Sequence, residues 1–188
     1  MDETEFACAP VIETERLILR ALEARDHEAY ATLWADPIVV RYTSRRPLTR
    51  EESWIRLLRQ VGHWRVLGFG FWAIEDRASG QLAGEAGFHD LRRDIEPAFD
   101  GTPEAGWLLG PEFHGQGLAR EALAAIHAWG DAQLRSKTIV CIIHPDHESS
   151  LRVARYFGYR NAIAARYHDA PTLILTRQRP TDSQVRAG

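Results

Sequence analysis

Two glycines one residue apart, Gly115 and Gly117, separate an apolar run ending at Leu109 from the amphipathic stretch Leu118 to Leu134, and no other feature restricts the fold of this chain as tightly. Glycine lets the main chain turn several N–H groups toward an anion, and the helix that follows adds the positive end of its dipole. A diphosphate suits such a cradle. The bland alternative is a strand that simply turns into a helix. Two other phosphate loops are excluded by the residues themselves. No glycine is followed by Lys-Ser or Lys-Thr, and Lys137 is the only lysine, which argues against a P-loop ATPase. A dinucleotide fold places its glycine turn in the first strand-to-helix unit, whereas this one lies past the middle and the next strand runs into His144-Pro145.

The 188 residues, 45% hydrophobic and 26% charged, suffice for one compact domain that buries its own core. A formal charge of −3 with no cationic cluster argues against nucleic acid as a partner. The N-terminus carries Asp2, Glu3 and Glu5 without a signal-peptide core, and nowhere do 18 apolar residues run together, so no membrane association is expected and the location expected is cytoplasmic. Cys8 and Cys141 are too few for a disulfide framework, and Cys141 sits in an apolar run where a buried, inert thiol is the common case.

Periodicity predicts strand, two helices, several strands, helix, strand, helix and strands. Leu17–Leu19 is the first strand. Asp26 caps a helix through Ala35 that Pro37 stops, and Thr49-Arg50-Glu51-Glu52 is a capping box opening a helix to Gly68. Trp54, Leu57, Leu58, Val61 and Trp64 share one side of that helix by spacing. Residues 69–75 and 82–89 form an antiparallel pair, 91–103 an exposed loop, and 104–109 a further strand. Leu118, Ala122, Leu123, Ile126 and Trp129 mark the buried stripe of the next helix. Residues 139–143 form a strand covered on both faces, 147–157 a helix closed by Gly158, and 159–167 with 172–177 a hairpin turning at 168–171.

This order of strand, glycine loop, helix, strand, His-Pro-Asp and a short helix closing on Gly-Tyr resembles the GNAT superfamily of acetyl-CoA-dependent N-acetyltransferases. Within it the likeness is to the RimJ and RimL branch of ribosomal-protein alanine N-acetyltransferases. The segments that carry it are 13–20 (Glu-Thr-Glu-Arg-Leu-Ile-Leu-Arg), 70–74, 84–88, 104–107 (Glu-Ala-Gly-Trp), 114–119 with Glu121-Ala122, and 144–159. The resemblance implies a mixed α/β (α+β) fold. Its sheet is mostly antiparallel, with six to seven strands splayed between the fourth and fifth, flanked by about four helices. It spans residues 11–179, with tails at 1–10 and 180–188.

It also implies acetyl-CoA as co-substrate, no metal, and an amine acceptor that is a small molecule or a peptide. The diphosphate would rest on His114, Gly115, Gln116, Gly117, Leu118 and Ala119, with His114 standing where the family has arginine or glutamine. Pantetheine would lie against the backbone of Leu108 and Leu109. His147 replaces the asparagine that bonds the pantetheine arm. The tyrosine that many relatives use as the acid is matched by Ala154, and Tyr156, about 200° further round a helix, points elsewhere. Ser150 matches the serine of RimL-like members and is the expected proton donor or thiolate stabiliser; its plain alternative is a first-turn cap.

An ammonium acceptor must lose a proton before it attacks a thioester, so a base is required. Glu104 is the first candidate, against a solvent-facing strand end. Glu85, in an otherwise apolar strand, is the second, against a paired sheet residue, and His89 is third. A backbone N–H near Leu109 would stabilise the oxyanion. His144 and His147 have no third ligand nearby, so no metal site is expected. The expected activity is direct acetyl transfer to a primary amine in a ternary complex. The alternatives are a catalytically inactive acyl-CoA-binding sensor or interaction module, and an unrelated nucleotide-binding enzyme. A homodimer through strand pairing or swapping near the C-terminus is compatible with the sequence, which does not establish it.

Overall fold

The computed structural model describes residues 8–180; the outer parts of both expected tails, 1–7 and 181–188, lie outside the described residues. The chain divides into two compact units, residues 1–89 with 107–126 and residues 90–106 with 127–188.

In the first unit, β1 (Ile12–Glu13), β2 (Leu17–Arg20), β3 (Phe71–Asp76) and β4 (Leu82–His89) pair antiparallel in chain order. β1 was not anticipated. Thr14 closes a turn onto the Leu17 carbonyl through both its N–H, at 2.9 Å, and its hydroxyl, at 3.2 Å, which folds Ile12 opposite Leu19. The last residues of β5 (Glu104–Leu109) follow β4, where Gly110 N–H donates to the Ala83 carbonyl at 2.9 Å.

Three helices of this unit follow local signals. α1 (His27–Ala35) has Asp26 at its cap position, yet the Asp26 side chain makes no cap bond there. It accepts instead from Arg20 Nη1 and Nη2, at 2.8 Å each, and from the Glu23 N–H. Burial opposes its charge, but these bonds hold the Asp26 carboxyl below its ordinary range. Pro37 does not merely end α1: with Asp36 capping, it opens the four-residue α2 (Pro37–Val40), which suits a residue lacking an N–H to donate. α3 (Arg50–Leu67) has the expected capping box, with Glu52 N–H donating to Thr49 Oγ1 and Thr49 N–H to Glu52, and ends on left-handed Gly68. Its buried side differs from the expected stripe. Leu57 and Trp64 face in, but so do Ser53, Gln60 and His63, while Leu58 and Val61 are 50% and 41% exposed. Gln60 donates to a buried carboxylate of β4, Glu85, as Arg56 does, while Ser53 and His63 bond carbonyls of α3 itself.

In the second unit the start of β5 runs parallel to β6 (Thr138–Ile143), with Glu104 opposite Val140. Among the described residues this is the one register pair between them, at the point where the sheet was expected to splay. β6 pairs antiparallel with β8 (Ala170–Gln178), and β8 with β7 (Arg160–Tyr167). The hairpin turns on His168 and Asp169 alone, both at positive φ, rather than on 168–171. Pro171 therefore joins β8 opposite Arg166, beyond Leu173 where the β6 pairing ends, so its missing N–H interrupts no β6–β8 bond. α4 (Leu118–Gln133) runs from the first unit into the second, and α5 (Glu148–Tyr156) follows β6. Leu118, Ala122, Leu123 and Ile126 are buried as expected, and so is His127, which bonds Tyr159 Oη at 2.9 Å.

Counted along both units the strand order is β1-β2-β3-β4-β5-β6-β8-β7. Eight strands and five α-helices exceed the expected six to seven and about four through two very short elements, β1 and α2. The fold is the expected mixed α/β with a mostly antiparallel sheet.

Candidate active site

The glycine loop is built from both ends. A single 3-10 turn (Pro111–Phe113) buries Phe113, and the His114 ring donates from Nε2 to the Leu109 carbonyl at 2.9 Å. This bond ties the His114 ring to the end of β5. Gly115 and Gly117 have φ of 73° and 80°, with Gln116 between them outside the positive-φ region. Alternation of this kind makes a concave nest of N–H groups. Among the described residues no protein acceptor meets the N–H of Gly115, Gln116, Gly117, Leu118 or Ala119, whereas the Gly117 carbonyl already accepts from Arg120 and Glu121. Gln116 turns its side chain away, donating to the Glu112 carbonyl at 2.8 Å. The loop thus presents main-chain donors at the head of a 16-residue helix.

Glu85 faces the same unit's interior and has no exposed surface. Its Oε2 accepts from Tyr30 Oη at 2.8 Å and Gln60 Nε2 at 3.2 Å, and its Oε1 from Arg56 Nη2 at 3.1 Å and Nε at 3.3 Å. The Arg56 guanidinium also stacks 3.7 Å from the centre of the Trp34 ring. Burial and the Glu85 charge push the Tyr30 hydroxyl well above its usual range. Burial works against the Arg56 cation, but Glu85 overrides it. Four donor contacts fill the lone-pair positions of one carboxylate, the pattern of a structural ion pair. His89 is buried and stacked on Phe71 at 4.9 Å. Trp64, Phe71 and Trp72 are core residues, whereas Trp54 and Phe69 are half-buried.

In the second unit Glu104 is buried and gripped by Arg93, Nε to Oε2 at 2.6 Å and Nη2 to Oε1 at 2.9 Å. Arg93 lies 4.7 Å from the centre of the Tyr167 ring. Burial disfavours its charge, but the bond to Glu104 raises it above the ordinary arginine value. The loop that brings Arg93 was read as merely solvated. Asp94, Glu96 and Asp100 are exposed, but Ile95 and Arg93 turn inward. Cys141 is buried, and burial together with the Glu104 charge pushes its thiol up, which keeps it inert.

At the head of α5 the structure joins two expected residues. Ser150 Oγ lies 3.0 Å from His147 Nε2, and Ser149 Oγ lies 3.1 Å from Nδ1. A neutral imidazole has one donor and one acceptor, and a hydroxyl can serve as either, so one serine accepts from the ring while the other donates to it. Ala154 is fully buried, and Tyr156 is 65% exposed and directed away. Among the described residues no group of three His, Cys, Asp or Glu is placed to hold a metal ion, and no helix is long and apolar enough to cross a membrane.

A strand that ends in a glycine nest, a helix behind it and a mostly antiparallel sheet define an acyltransferase-type fold, and comparison makes the assignment specific. Residues 16–160 match the Acetyltransferase (GNAT) domain family; the chain belongs to the GNAT family and is an acetyl-CoA-dependent N-acetyltransferase. It is similar to a putative GNAT-family acetyltransferase from Bordetella pertussis, with 31% identity and a TM-score of 0.80 over 90% of this chain and 99% of that one. It is 28% identical to the uncharacterized N-acetyltransferase YoaA of Bacillus subtilis, over 80% of this chain and 83% of that protein. The fold also matches RimL, the ribosomal L7/L12 alpha-N-protein acetyltransferase, in complex with coenzyme A, at 17% identity and a TM-score of 0.72 over 90% and 98% of the two chains.

Sequence reasoning missed the arginines. Arg56, Arg93 and Arg16 each grip a glutamate between 11 and 105 residues away. Nothing local marks them apart from the chain's other exposed-looking arginines.

Proposed function

We propose that this protein binds acetyl-CoA with its diphosphate on the amides of residues 115–119 and passes the acetyl group directly to a primary amine in a ternary complex. The observation that carries the reading is the run of five main-chain N–H groups, two of them on left-handed glycines, that meet no acceptor among the described residues. His114 shapes the loop through Leu109, Leu108 and Leu109 offer backbone to the pantetheine arm, and His147 orients Ser150. Acetyl-CoA supplies the thioester and coenzyme A leaves as the thiol; the protein binds, orients and moves protons.

Of the two carboxylates, we assign the base to Glu104, because the lone pairs of Glu85 are already filled by its partners. Glu104, paired with Arg93 through one bond to each oxygen, takes the ammonium proton directly or through one water in this reading. Ser150 donates to the departing thiolate sulfur. With His147 Nε2–H donating to Ser150 Oγ and Nδ1 accepting from Ser149, the Ser150 hydroxyl hydrogen is left to point at sulfur.

Calorimetry with coenzyme A, ATP and NAD tests the cradle, and tighter binding of ATP or NAD overturns it. Labelled acetyl-CoA with a panel of amines tests the chemistry. Glu104→Gln is expected to lower kcat about 100-fold with the KM for acetyl-CoA unchanged, and no acetylated protein should form without an amine. The buried Ala154, standing where relatives place an acid, favours one second reading: an acyl-CoA-binding sensor without turnover. Acetyl transfer abolished by Glu104→Gln excludes it.

A further inference from the structure

The turn before β2 reaches the glycine loop of the same unit through one carboxylate. Glu121, in the first turn of α4, accepts at Oε1 from Thr14 Oγ1 at 2.7 Å and from the Arg16 N–H at 2.8 Å. At Oε2 it accepts from Arg16 Nε at 2.7 Å, and Arg16 Nη2 lies 2.7 Å from the same oxygen in the ion pair. Arg16 Nη1 then donates to the Gln116 carbonyl, inside the loop, at 2.9 Å. The guanidinium lies alongside Gly117: a Cβ placed there would stand 3.7 Å from Arg16 Nη2, its nearest neighbour.

Counting donors shows what this arrangement leaves over. A guanidinium has five N–H groups. Nε and one hydrogen of Nη1 donate and Nη2 faces Glu121 in the ion pair, so each terminal nitrogen keeps at least one N–H that meets no acceptor among the described residues, on a side chain that is 45% exposed. A residue needed only to brace the turn would not have to lie beside Gly117 with two donors to spare. Glu121 fixes the fork from one side and Gln116 from below, so the cation is held in place before any ligand arrives. Planar, preorganised guanidinium is the group best matched to phosphate oxygens.

We infer that Arg16 is a phosphate-contact residue of the coenzyme A site, held by Glu121 so that its two remaining N–H groups meet the diphosphate seated on the loop amides. It supplies from a distant turn the cation that His114, committed to the Leu109 carbonyl, does not. The inference rests on the proposed coenzyme A site and adds to it a charged side chain.

The test is calorimetry of coenzyme A binding to the wild-type protein, Arg16→Gln and Glu121→Gln, with thermal unfolding to confirm that each is folded. Arg16→Gln is expected to weaken coenzyme A about tenfold or more. Glu121→Gln, which loosens the brace but keeps the cation, should weaken it less. The loss in Arg16→Gln should be the same for 3′-dephospho-coenzyme A, since the contact is to the diphosphate. Equal losses in both variants reduce Arg16 to a brace and overturn the inference, as does a loss seen with coenzyme A but not with its 3′-dephospho form. If Arg16→Gln does not fold, Arg16→Lys retains the charge and loses the fork. It should bind coenzyme A several-fold more weakly, and wild-type affinity overturns the inference. Failure of the wild-type protein to bind coenzyme A sinks the site itself rather than the role of Arg16.

Discussion

Replacing Glu85 by glutamine separates a structural carboxylate from a catalytic one. The four donor contacts to Glu85 come from Tyr30, Gln60 and two nitrogens of Arg56. Glutamine offers one acceptor oxygen in their midst and turns its NH2 toward donors, so about half the contacts are lost and the Arg56 cation is stranded. Breaking a buried ion pair from one side costs about 3–5 kcal/mol. The Arg56 side chain retains 22% exposure and some hydration, which points to the lower figure, about 3 kcal/mol. For a chain of this size that is a drop in apparent Tm of about 6–12 °C and a urea midpoint lower by about 1–1.5 M at a slope of about 2–3 kcal/mol/M. Circular dichroism in urea measures it, with kcat taken well below the melting range. Adding Arg56→Met to Glu85→Gln should recover part of the loss, because the stranded charge goes with it. An unchanged urea midpoint together with a kcat at least 100-fold lower would refute the reasoning and move the base from Glu104 to Glu85.

Two further outcomes follow from local geometry. Gly117→Ala puts a Cβ on a residue at φ 80°, in ordinary contact with Arg16 Nη2 at 3.7 Å, so the main cost is backbone strain of about 1–2 kcal/mol; calorimetry should show coenzyme A bound about tenfold more weakly, and wild-type affinity would mean the loop is not the cradle. The Glu52 carboxyl, which accepts from Arg46 and from the Thr49 N–H, is held down at about 2. A depressed carboxyl contributes stability above its unfolded value, lost as pH falls through the folded one, so α3 should lose this support between about pH 4.5 and 2. An NMR titration that finds Glu52 near 4.5 contradicts the capping box.

The elements that were legible in the chain are those decided within a few residues. Thr49 and Glu52 cap α3, Gly68 ends it, the bounds of β4 and β5 follow their apolar runs, and Gly115 with Gly117 marks the nest. Misreadings arose where a distant group competed with a local one. Asp26 stands where a cap belongs but spends its carboxylate on Arg20. Leu58 and Val61 have the spacing of a buried stripe, yet α3 gives that side to Gln60 and Arg56, which donate to Glu85. In the candidate site, the residue types at 114–119, 104, 147 and 150 were readable from family likeness, whereas Arg16, Arg56 and Arg93 were not.

The sequence by itself determined the backbone donors and the family. Left-handed glycines, a following helix and apolar periodicity act through covalent geometry and short-range hydrogen bonds, which any unfolded segment already carries. The tertiary structure alone decided which carboxylate is tied to which arginine: Glu85 to Arg56, Glu104 to Arg93 and Glu121 to Arg16. A charge is valued by the partners and the solvent around it, and those are supplied by residues that only folding brings within hydrogen-bonding distance.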